Sequence, residues 1–140
     1  MNTSGARIVI IAAEFNREVV DPMVVTAEDE LRKAGGQLLR VIRVSGCYEV
    51  PLIADLQLGK ADTDGLVVLG HIERGETLHG EVMGHVVHGA LVAMQLKHRK
   101  PVGIGIIGPG ATLEQAQQRK TGSAKAAVKA VLQNYELLSQ

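Results

Sequence analysis

Four apolar, β-branched runs recur along this chain, and each is followed by a segment with the spacing of an amphipathic helix. Alternating strands and helices of this kind predict a parallel sheet with helices on both faces, joined by right-handed crossovers. Strands buried on both faces are expected to be apolar throughout, as these runs are. The predicted strands are residues 8–13, 38–44, 66–70 and 102–107.

Turn and capping residues predict the limits of the first two helices. Asp21 and Pro22 have the residue types of an N-cap and a first helical position, and Gly35-Gly36 would end the helix that they begin. The second helix is predicted to start at Pro51, since proline is favoured in a first turn. Both helices then connect one predicted strand to the next.

Three further helices are predicted in the second half of the chain. The first covers 80–98 and carries a wide apolar stripe suited to burial. Thr112 and Gln115 have the spacing of a capping box, which predicts a short fourth helix, and residues 126–138 supply a fifth. The apolar stripe of the third helix consists of Val82, Met83, Val86, Val87, Ala90, Leu91 and Met94.

Composition excludes several classes of function. The 140 residues are 46% apolar and contain no linker-like segment, so a single domain over 1–140 is expected. Fifteen basic and fifteen acidic side chains without a charged block argue against a nucleic acid or membrane partner. The first apolar run is too short for a membrane span or secretory signal, and Cys47 is the only cysteine. A cytoplasmic protein is therefore predicted.

Parallel sheets of this type bind ligands at the carboxyl ends of their strands, which directs attention to the loops there. The segment from His71 to His79 lies between a predicted strand and a helix N-terminus, where free N–H groups and the helix dipole favour an anion. Thr77 adds a hydroxyl, and His79 can exchange protons near neutral pH. We therefore expect phosphate binding and acid–base chemistry. The other three loops are Glu14-Phe15-Asn16, Gly46-Cys47-Tyr48-Glu49 and Gly108-Pro109-Gly110.

Three further patterns each have a competing interpretation. The glycines at 103, 105 and 108 match a dinucleotide-binding pattern, but they lie within a predicted strand, which favours close packing instead. His85 and His88, with Glu81 one turn earlier, could ligate a metal or could simply pack and face solvent. Cys47 and His79 could form a nucleophile and base, although no sequence cue for an activated thiol accompanies them.

Taken in order, the loop motifs resemble the lumazine synthase family, which makes 6,7-dimethyl-8-ribityllumazine in riboflavin biosynthesis. The resemblance covers roughly residues 7–137. It implies a flavodoxin-like three-layer αβα sandwich around a four-stranded parallel sheet. The motifs that carry it are Glu14-Phe15-Asn16, Gly46-Cys47-Tyr48-Glu49-Val50-Pro51, Arg74-Gly75-Glu76-Thr77 with His79, and Glu114-Gln115-Ala116 leading to Arg119 and Lys125.

The resemblance also implies a reaction and a role for each site residue. 5-Amino-6-ribitylaminouracil would condense with 3,4-dihydroxy-2-butanone 4-phosphate through an imine, with release of phosphate and closure of the second ring. Phe15 would stack on the pyrimidine, and His79 would shuttle protons. The implied ribitylaminouracil site comprises Phe15, Asn16, Cys47, Tyr48, Glu49, His71, Ile72, Glu73 and Ile104, and the implied phosphate site comprises Glu76, Thr77, Arg119 and Lys125.

No cofactor or metal is implied, and the partners would be the small-molecule substrates and further copies of the chain. A pentamer or an assembly of pentamers is expected, with active sites between subunits and Arg119 supplied by a neighbour. His71 and Glu73 depart from the family, which commonly has small or apolar residues there. A buried, unpaired Glu73 carboxylate beside the ring would be costly, which keeps open a divergent relative that binds a flavin- or pterin-like ring without efficient synthesis. A structural shell-forming protein is a further alternative from another class.

Overall fold

A computed structural model describes residues 5–140, and within that range the centre of the molecule is a four-stranded sheet. The strand order is β2-β1-β3-β4, and every neighbouring pair is parallel. The strands are β1 (Arg7–Ala13), β2 (Gln37–Val44), β3 (Gly65–Glu73) and β4 (Val102–Ala111). The chain turns to opposite sides of β1 to form β2 and β3, so the topological switch point of this flavodoxin-like sheet lies between β1 and β3.

Helices cover both faces of the sheet, which confirms the predicted three-layer α/β arrangement. The first and last helices pack together against one face, and the two middle helices cover the other. A short 3₁₀ turn, Cys47–Glu49, precedes the second helix. The helices are α1 (Arg17–Lys33), α2 (Val50–Leu58), α3 (His79–His98) and α4 (Leu113–Leu138).

The side chains of β1 point alternately to the two faces of the sheet, which divides the core into two layers. Ile8 and Ile10 are fully buried in the cluster that α1 and α4 cover. Val9 and Ile11 are fully buried in the cluster that α2 and α3 cover. Because successive side chains of a strand point to opposite faces, an uninterrupted apolar run is needed to fill both layers. This explains why the strands were recognisable in the sequence.

The predicted start of α1 was wrong. The helix begins at Arg17, and its N-cap is Asn16, which adopts a left-handed backbone conformation with φ 57°. The Asp21 carboxylate does not cap a helix; it lies 2.8 Å from the Arg43 guanidinium of β2. The earlier start adds a turn that buries Val19 in the core. We infer that this burial offsets the hydrogen bond that a proline inside the helix removes.

The fourth and fifth predicted helices are one continuous helix, α4, so the predicted break between them was wrong. The capping box itself is confirmed: the Gln115 N–H donates to the Thr112 hydroxyl at 3.2 Å, and the Thr112 N–H donates to the Gln115 side chain at 3.0 Å. Gly122 lies inside the helix at a cost of about 1 kcal/mol relative to alanine. Buried side chains on both sides of it, such as Ala116 and Val128, hold the helix together.

Strands β3 and β4 run further than the sequence predicted. His71 pairs with Ile107, and Glu73 pairs with Ala111 after an irregularity in register. Residues 71–73 and 108–110 are therefore strand, not loop as expected. The polar connection to α3 is reduced to residues 74–78.

The glycine-rich pattern in β4 permits close packing, as the sequence analysis favoured. A Cβ on Gly103 would lie 2.0 Å from the Ala127 carbonyl oxygen of α4. Gly108 has φ +100°, and a Cβ there would lie 2.2 Å from the Ile72 carbonyl oxygen. Backbone atoms of neighbouring elements occupy the space that side chains would need, so these glycines shape the packing and do not form a dinucleotide loop.

The apolar stripe predicted for α3 is only partly buried. Val87 and Leu91 are fully buried, whereas Val82 and Val86 are 51% and 53% exposed. Val82, Val86, Val92 and Leu96 are exposed apolar residues of α3, and we call this set the outer stripe of α3. The predicted stripe mixes buried and exposed positions, because apolar residues lie on both sides of this helix.

Candidate active site

A cavity of about 490 Å³ opens at the carboxyl edge of the sheet, beside the ends of β1, β2 and β3 and the start of α3. Ligands of open α/β sheets bind at this edge, next to the switch point. The lining residues are Phe15, Ser45, Gly46, Cys47, Tyr48, Glu49, His71, Ile72, Glu73, Arg74, Gly75, Thr77, His79, Gly80 and Met83. The predicted edge of the sheet thus contains a substantial cavity.

Phe15 lies in the turn that follows β1. The Glu14 N–H donates to the Val44 carbonyl at 2.7 Å, and the Phe15 N–H donates to the Ser45 carbonyl at 3.2 Å, so the end of β2 holds this turn. The Phe15 ring is 49% exposed and belongs to neither core cluster. An aromatic ring that lines the cavity without closing onto the core is available to stack on a flat ligand.

The turn after β2 presents Tyr48 and Glu49, which are both exposed, and buries Cys47. The Cys47 sulfur packs against Gly70, where a Cβ would lie 2.8 Å from it. Burial, together with the charge of Glu49, raises the pKa of the Cys47 thiol to about 11. A thiol with this pKa stays protonated near neutral pH, so Cys47 fits a wall residue and not the nucleophile that the sequence left open.

His79 begins α3 at the rim of the cavity. Its backbone N–H donates to the Thr77 hydroxyl at 3.3 Å. Its imidazole meets the Tyr48 ring edge-on, with 5.9 Å between ring centroids. The contact between Tyr48 and His79 joins two loops that are distant in the sequence, and it places an imidazole within the same cavity as Phe15.

Comparison of the sequence with known proteins identifies the family of this chain. Residues 5–139 match the sequence profile described as 6,7-dimethyl-8-ribityllumazine synthase. The chain is 39% identical over 126 residues to the protein of that name from Staphylothermus marinus, with 90% of this chain and 84% of the relative covered. It is 36% identical over 133 residues to the protein of that name from Metallosphaera sedula, with 92% and 88% covered. The chain belongs to the 6,7-dimethyl-8-ribityllumazine synthase family.

Within this lumazine synthase framework, the two unusual residues of β3 have different environments. His71 is 2% exposed, and its Nδ1 lies 2.8 Å from the Asn16 amide nitrogen. Glu73 is exposed at the cavity edge. The costly buried carboxylate that motivated the divergent-relative alternative is therefore absent from this chain. Ile72 between them is buried and lines the cavity as expected.

Several residues implied by the lumazine synthase resemblance do not line the cavity within one chain. Ile104 is half-buried in the middle of β4, where it pairs with Val68. Arg119 is exposed on α4, which covers the opposite face of the sheet, and makes no ion pair with any residue from 5 to 140. Lys125, also on α4, lies 3.9 Å from the Glu30 carboxylate.

Asn16 and Glu76 also lie outside the cavity lining. The Asn16 amide is directed to His71 under the edge of the sheet. Glu76 is exposed and lines a neighbouring depression of about 590 Å³, which shares Arg74 and Thr77 with the cavity. The segment from 73 to 80 therefore faces two adjoining spaces, one beside Phe15 and one on its outer side.

Ser45, Gly80 and Met83 also line the cavity, although the sequence did not predict them as site residues. Ser45 directly follows β2, and Met83 lies one helical turn after His79, so strand ends and helical spacing were the available signals.

Within residues 5–140, no group of three or more His, Cys, Asp or Glu side chains is placed to hold a metal ion. His85 is exposed, and the His88 Nδ1 lies 2.7 Å from the Gly84 carbonyl oxygen. No helix in the described part of the chain is long and apolar enough to cross a bilayer.

Proposed function

We propose that this chain uses the cavity to condense 5-amino-6-ribitylaminouracil with 3,4-dihydroxy-2-butanone 4-phosphate, forming 6,7-dimethyl-8-ribityllumazine and phosphate. The observation that carries the proposal is one cavity that combines Phe15, Tyr48 and His79 in a chain of this family. It is a transferase of riboflavin biosynthesis. The alternatives of a non-synthesising ring binder and a structural shell protein are not favoured, because the relatives are named as synthases.

The pyrimidine would stack on Phe15, with the turn formed by Cys47, Tyr48 and Glu49 beside it. Backbone groups at the end of β3 and the carboxylates of Glu49 and Glu73 offer hydrogen-bond acceptors for ring N–H groups and ribityl hydroxyls. All of these residues line the same cavity. This allotment follows the resemblance in all but the Asn16 amide, which is engaged by His71.

His79 would move protons as the amine adds to the ketone, water and phosphate leave, and the second ring closes. One positioned histidine typically contributes about 10²- to 10⁴-fold to such steps. Holding the amine against the ketone makes the encounter effectively unimolecular, which contributes on the order of 7–11 kcal/mol at best. We therefore expect most of the acceleration to come from positioning and a smaller part from His79.

The phosphate would bind at the start of α3, near Glu76 and Thr77, and would be held by Arg119 of another copy. A guanidinium fork suits a phosphate, and Arg119 is exposed without an ion-pair partner among the described residues. We place Lys125 with Arg119 at the phosphate, and Ile104 in the wall of the ribitylaminouracil pocket, as the resemblance implies. Lys125 is exposed, and Ile104 is half-buried against the core layer under α2 and α3.

A homo-oligomer, as a pentamer or an assembly of pentamers, follows from this shared site. The outer stripe of α3 supports it, since neighbouring exposed apolar side chains are typical of surfaces that associate. Leu52 and Leu56 of α2 are also exposed, at 76% and 58%. We place the enzyme in the cytoplasm, where the unpaired Cys47 would stay reduced.

The proposal is tested by mixing the two substrates with the purified protein and following absorbance of the lumazine product, with particle mass measured on the same sample. We expect turnover from an oligomer. Ring binding without product would favour the divergent-relative alternative. The absence of both ring binding and product would favour a structural protein. Either result would overturn the proposed reaction.

Replacing Phe15 by alanine is expected to raise the KM for the ribitylaminouracil by about 10-fold or more, because stacking of an aromatic side chain on a base contributes roughly 1–3 kcal/mol. The KM for the phosphate substrate should change little. Phe15→Tyr is the matched control, since it keeps the stacking face. Unchanged affinity of Phe15→Ala for the pyrimidine in a binding titration would contradict stacking.

Replacing Arg119 by alanine is expected to raise the KM for the phosphate substrate by about 10- to 100-fold, since a charged hydrogen bond contributes roughly 1.5–3 kcal/mol. Affinity for the uracil substrate should be nearly unchanged. Lys129→Ala removes another exposed cation from α4 and controls for the loss of charge. An equal loss of affinity for both substrates would contradict a phosphate-binding role for Arg119.

A further inference from the structure

His71 is a buried polar side chain at the carboxyl edge of the sheet, 2% exposed. Val67 and Leu69 of the same strand belong to the core layer under α1 and α4. Because side chains alternate along a strand, His71 extends that row toward the start of α1. Its imidazole therefore lies under the cavity edge, although the residue borders the cavity.

The imidazole meets the residue that follows the stacking phenylalanine. The Asn16 amide nitrogen lies 2.8 Å from His71 Nδ1, so the amide donates and Nδ1 accepts. A ring nitrogen can accept only when it carries no hydrogen, and burial lowers the pKa of His71 despite opposing effects of the Ala111 backbone and Glu73. The neutral ring with its hydrogen on Nε2 fits this contact.

Asn16 joins the Phe15 turn to α1 in a left-handed conformation, with φ 57°. Asparagine adopts this conformation more readily than most residues with a side chain. The Asn16 carbonyl accepts the first hydrogen bonds of α1, from the Val19 and Val20 N–H groups. The bond to His71 fixes the Asn16 side chain to β3. Asn16 directly follows Phe15, whose backbone N–H donates to the Ser45 carbonyl, so the Phe15 turn is held both from β3 and from the end of β2.

We propose that His71 is a positioning residue, which holds the Phe15 turn through the Asn16 amide and so increases affinity for the flat ring of the substrate. This inference rests on the proposed function and assigns to Asn16 a partner within the protein instead of the substrate. His71 touches no reacting atom in this role. Its loss should alter recognition of the uracil substrate and leave recognition of the phosphate substrate intact.

The experiment measures KM for each substrate separately in His71→Leu, Asn16→Gly and the double variant. Leucine keeps a buried side chain without the acceptor nitrogen, and glycine adopts φ 57° without the amide. Val67→Ala is the control for stability, because it weakens the same core layer away from Asn16. Asn16→Gly also keeps the test open should His71→Leu fold poorly.

Each single variant is expected to raise the KM for the uracil substrate by about 10-fold and the KM for the phosphate substrate by less than about 2-fold, as loss of one buried hydrogen bond allows. The double variant should have a uracil KM no higher than the higher of the two single-variant values, since both substitutions remove the same contact. The proposal is wrong if His71→Leu folds and keeps its uracil KM, if both KM values rise together, or if the two effects multiply.

A reporter separates failure of this inference from failure of the proposed reaction. The chain has no tryptophan, so Phe15→Trp supplies a single tryptophan in the turn, which can be excited selectively over Tyr48 and Tyr135. Adding Asn16→Gly or His71→Leu to this variant should lower its fluorescence anisotropy without any substrate, while Val67→Ala should not. Lowered anisotropy in a protein that makes no product would support the positioning role and overturn only the reaction. Unchanged anisotropy would overturn the positioning role.

Discussion

Replacing His79 by glutamine is expected to lower kcat by about 10²- to 10⁴-fold, the usual contribution of a positioned general acid–base histidine. Glutamine retains hydrogen-bonding capacity and helix compatibility, but it does not exchange a proton near neutral pH. The Thr77 hydroxyl, which accepts from the backbone N–H of residue 79, would still hold the start of α3. The loss should therefore appear in turnover and not in folding.

The measurement is steady-state product formation together with a thermal unfolding curve for each variant. His98→Gln is the matched control, because His98 lies at the other end of the same helix and lines neither the cavity nor the adjoining depression. We expect it to retain full activity. A decrease of less than about 10-fold in His79→Gln would show that positioning alone carries the reaction and that His79 is not the proton shuttle.

Replacing Gly103 by alanine is expected to lower the free energy of unfolding by about 3 kcal/mol, at the upper end of ordinary overpacking effects. The added Cβ would lie 2.0 Å from the Ala127 carbonyl oxygen and 2.8 Å from the carbonyl carbon. These are backbone atoms of a long helix, so relief requires α4 to move away from β4 and not merely a side-chain rotation.

Urea unfolding at equal protein concentration measures this effect. Gly122→Ala is the matched control on α4, because nothing lies within 4 Å of its added Cβ. There we expect a gain of roughly 0.5–1 kcal/mol from the better helix propensity of alanine. If Gly103→Ala were as stable as the parent chain, the close approach of β4 to α4 would not be present in solution.

Features set by neighbouring residues were predictable from the sequence. Gly35 and Gly36 end α1 as expected, with the Gly36 N–H donating to the Leu31 carbonyl, and the capping box at Thr112 forms with both of its hydrogen bonds. The loop containing Cys47 and Tyr48 was also located correctly, because strand ends in a parallel sheet share an edge.

Features set by packing were not predictable in the same way. Asp21 has the residue type of an N-cap, but Arg43 of β2 binds its carboxylate, and this partner is known only once β2 lies beside α1. Gly122 favours a break in α4, but burial on both sides of it outweighs the local preference. The face of the sheet to which the His71 side chain points was also not predictable, because β3 continues past its predicted end and the strand register there sets the direction.

The two-layer core has a consequence for how sequence change can accumulate in this chain. Among the described residues, none of those in α1 or α4 lines the cavity, whereas α3 supplies Met83 and the turn before α2 supplies Cys47. Apart from His71, Arg119 and Lys125, to which we assign roles in substrate recognition, positions in the α1 and α4 layer are limited mainly by volume and shape. Substitutions in the layer under α2 and α3 must in addition preserve the shape of the cavity. We therefore expect this layer to change more slowly in sequence than the layer under α1 and α4. The sheet can keep its chemistry on one face while the side chains on its other face are replaced.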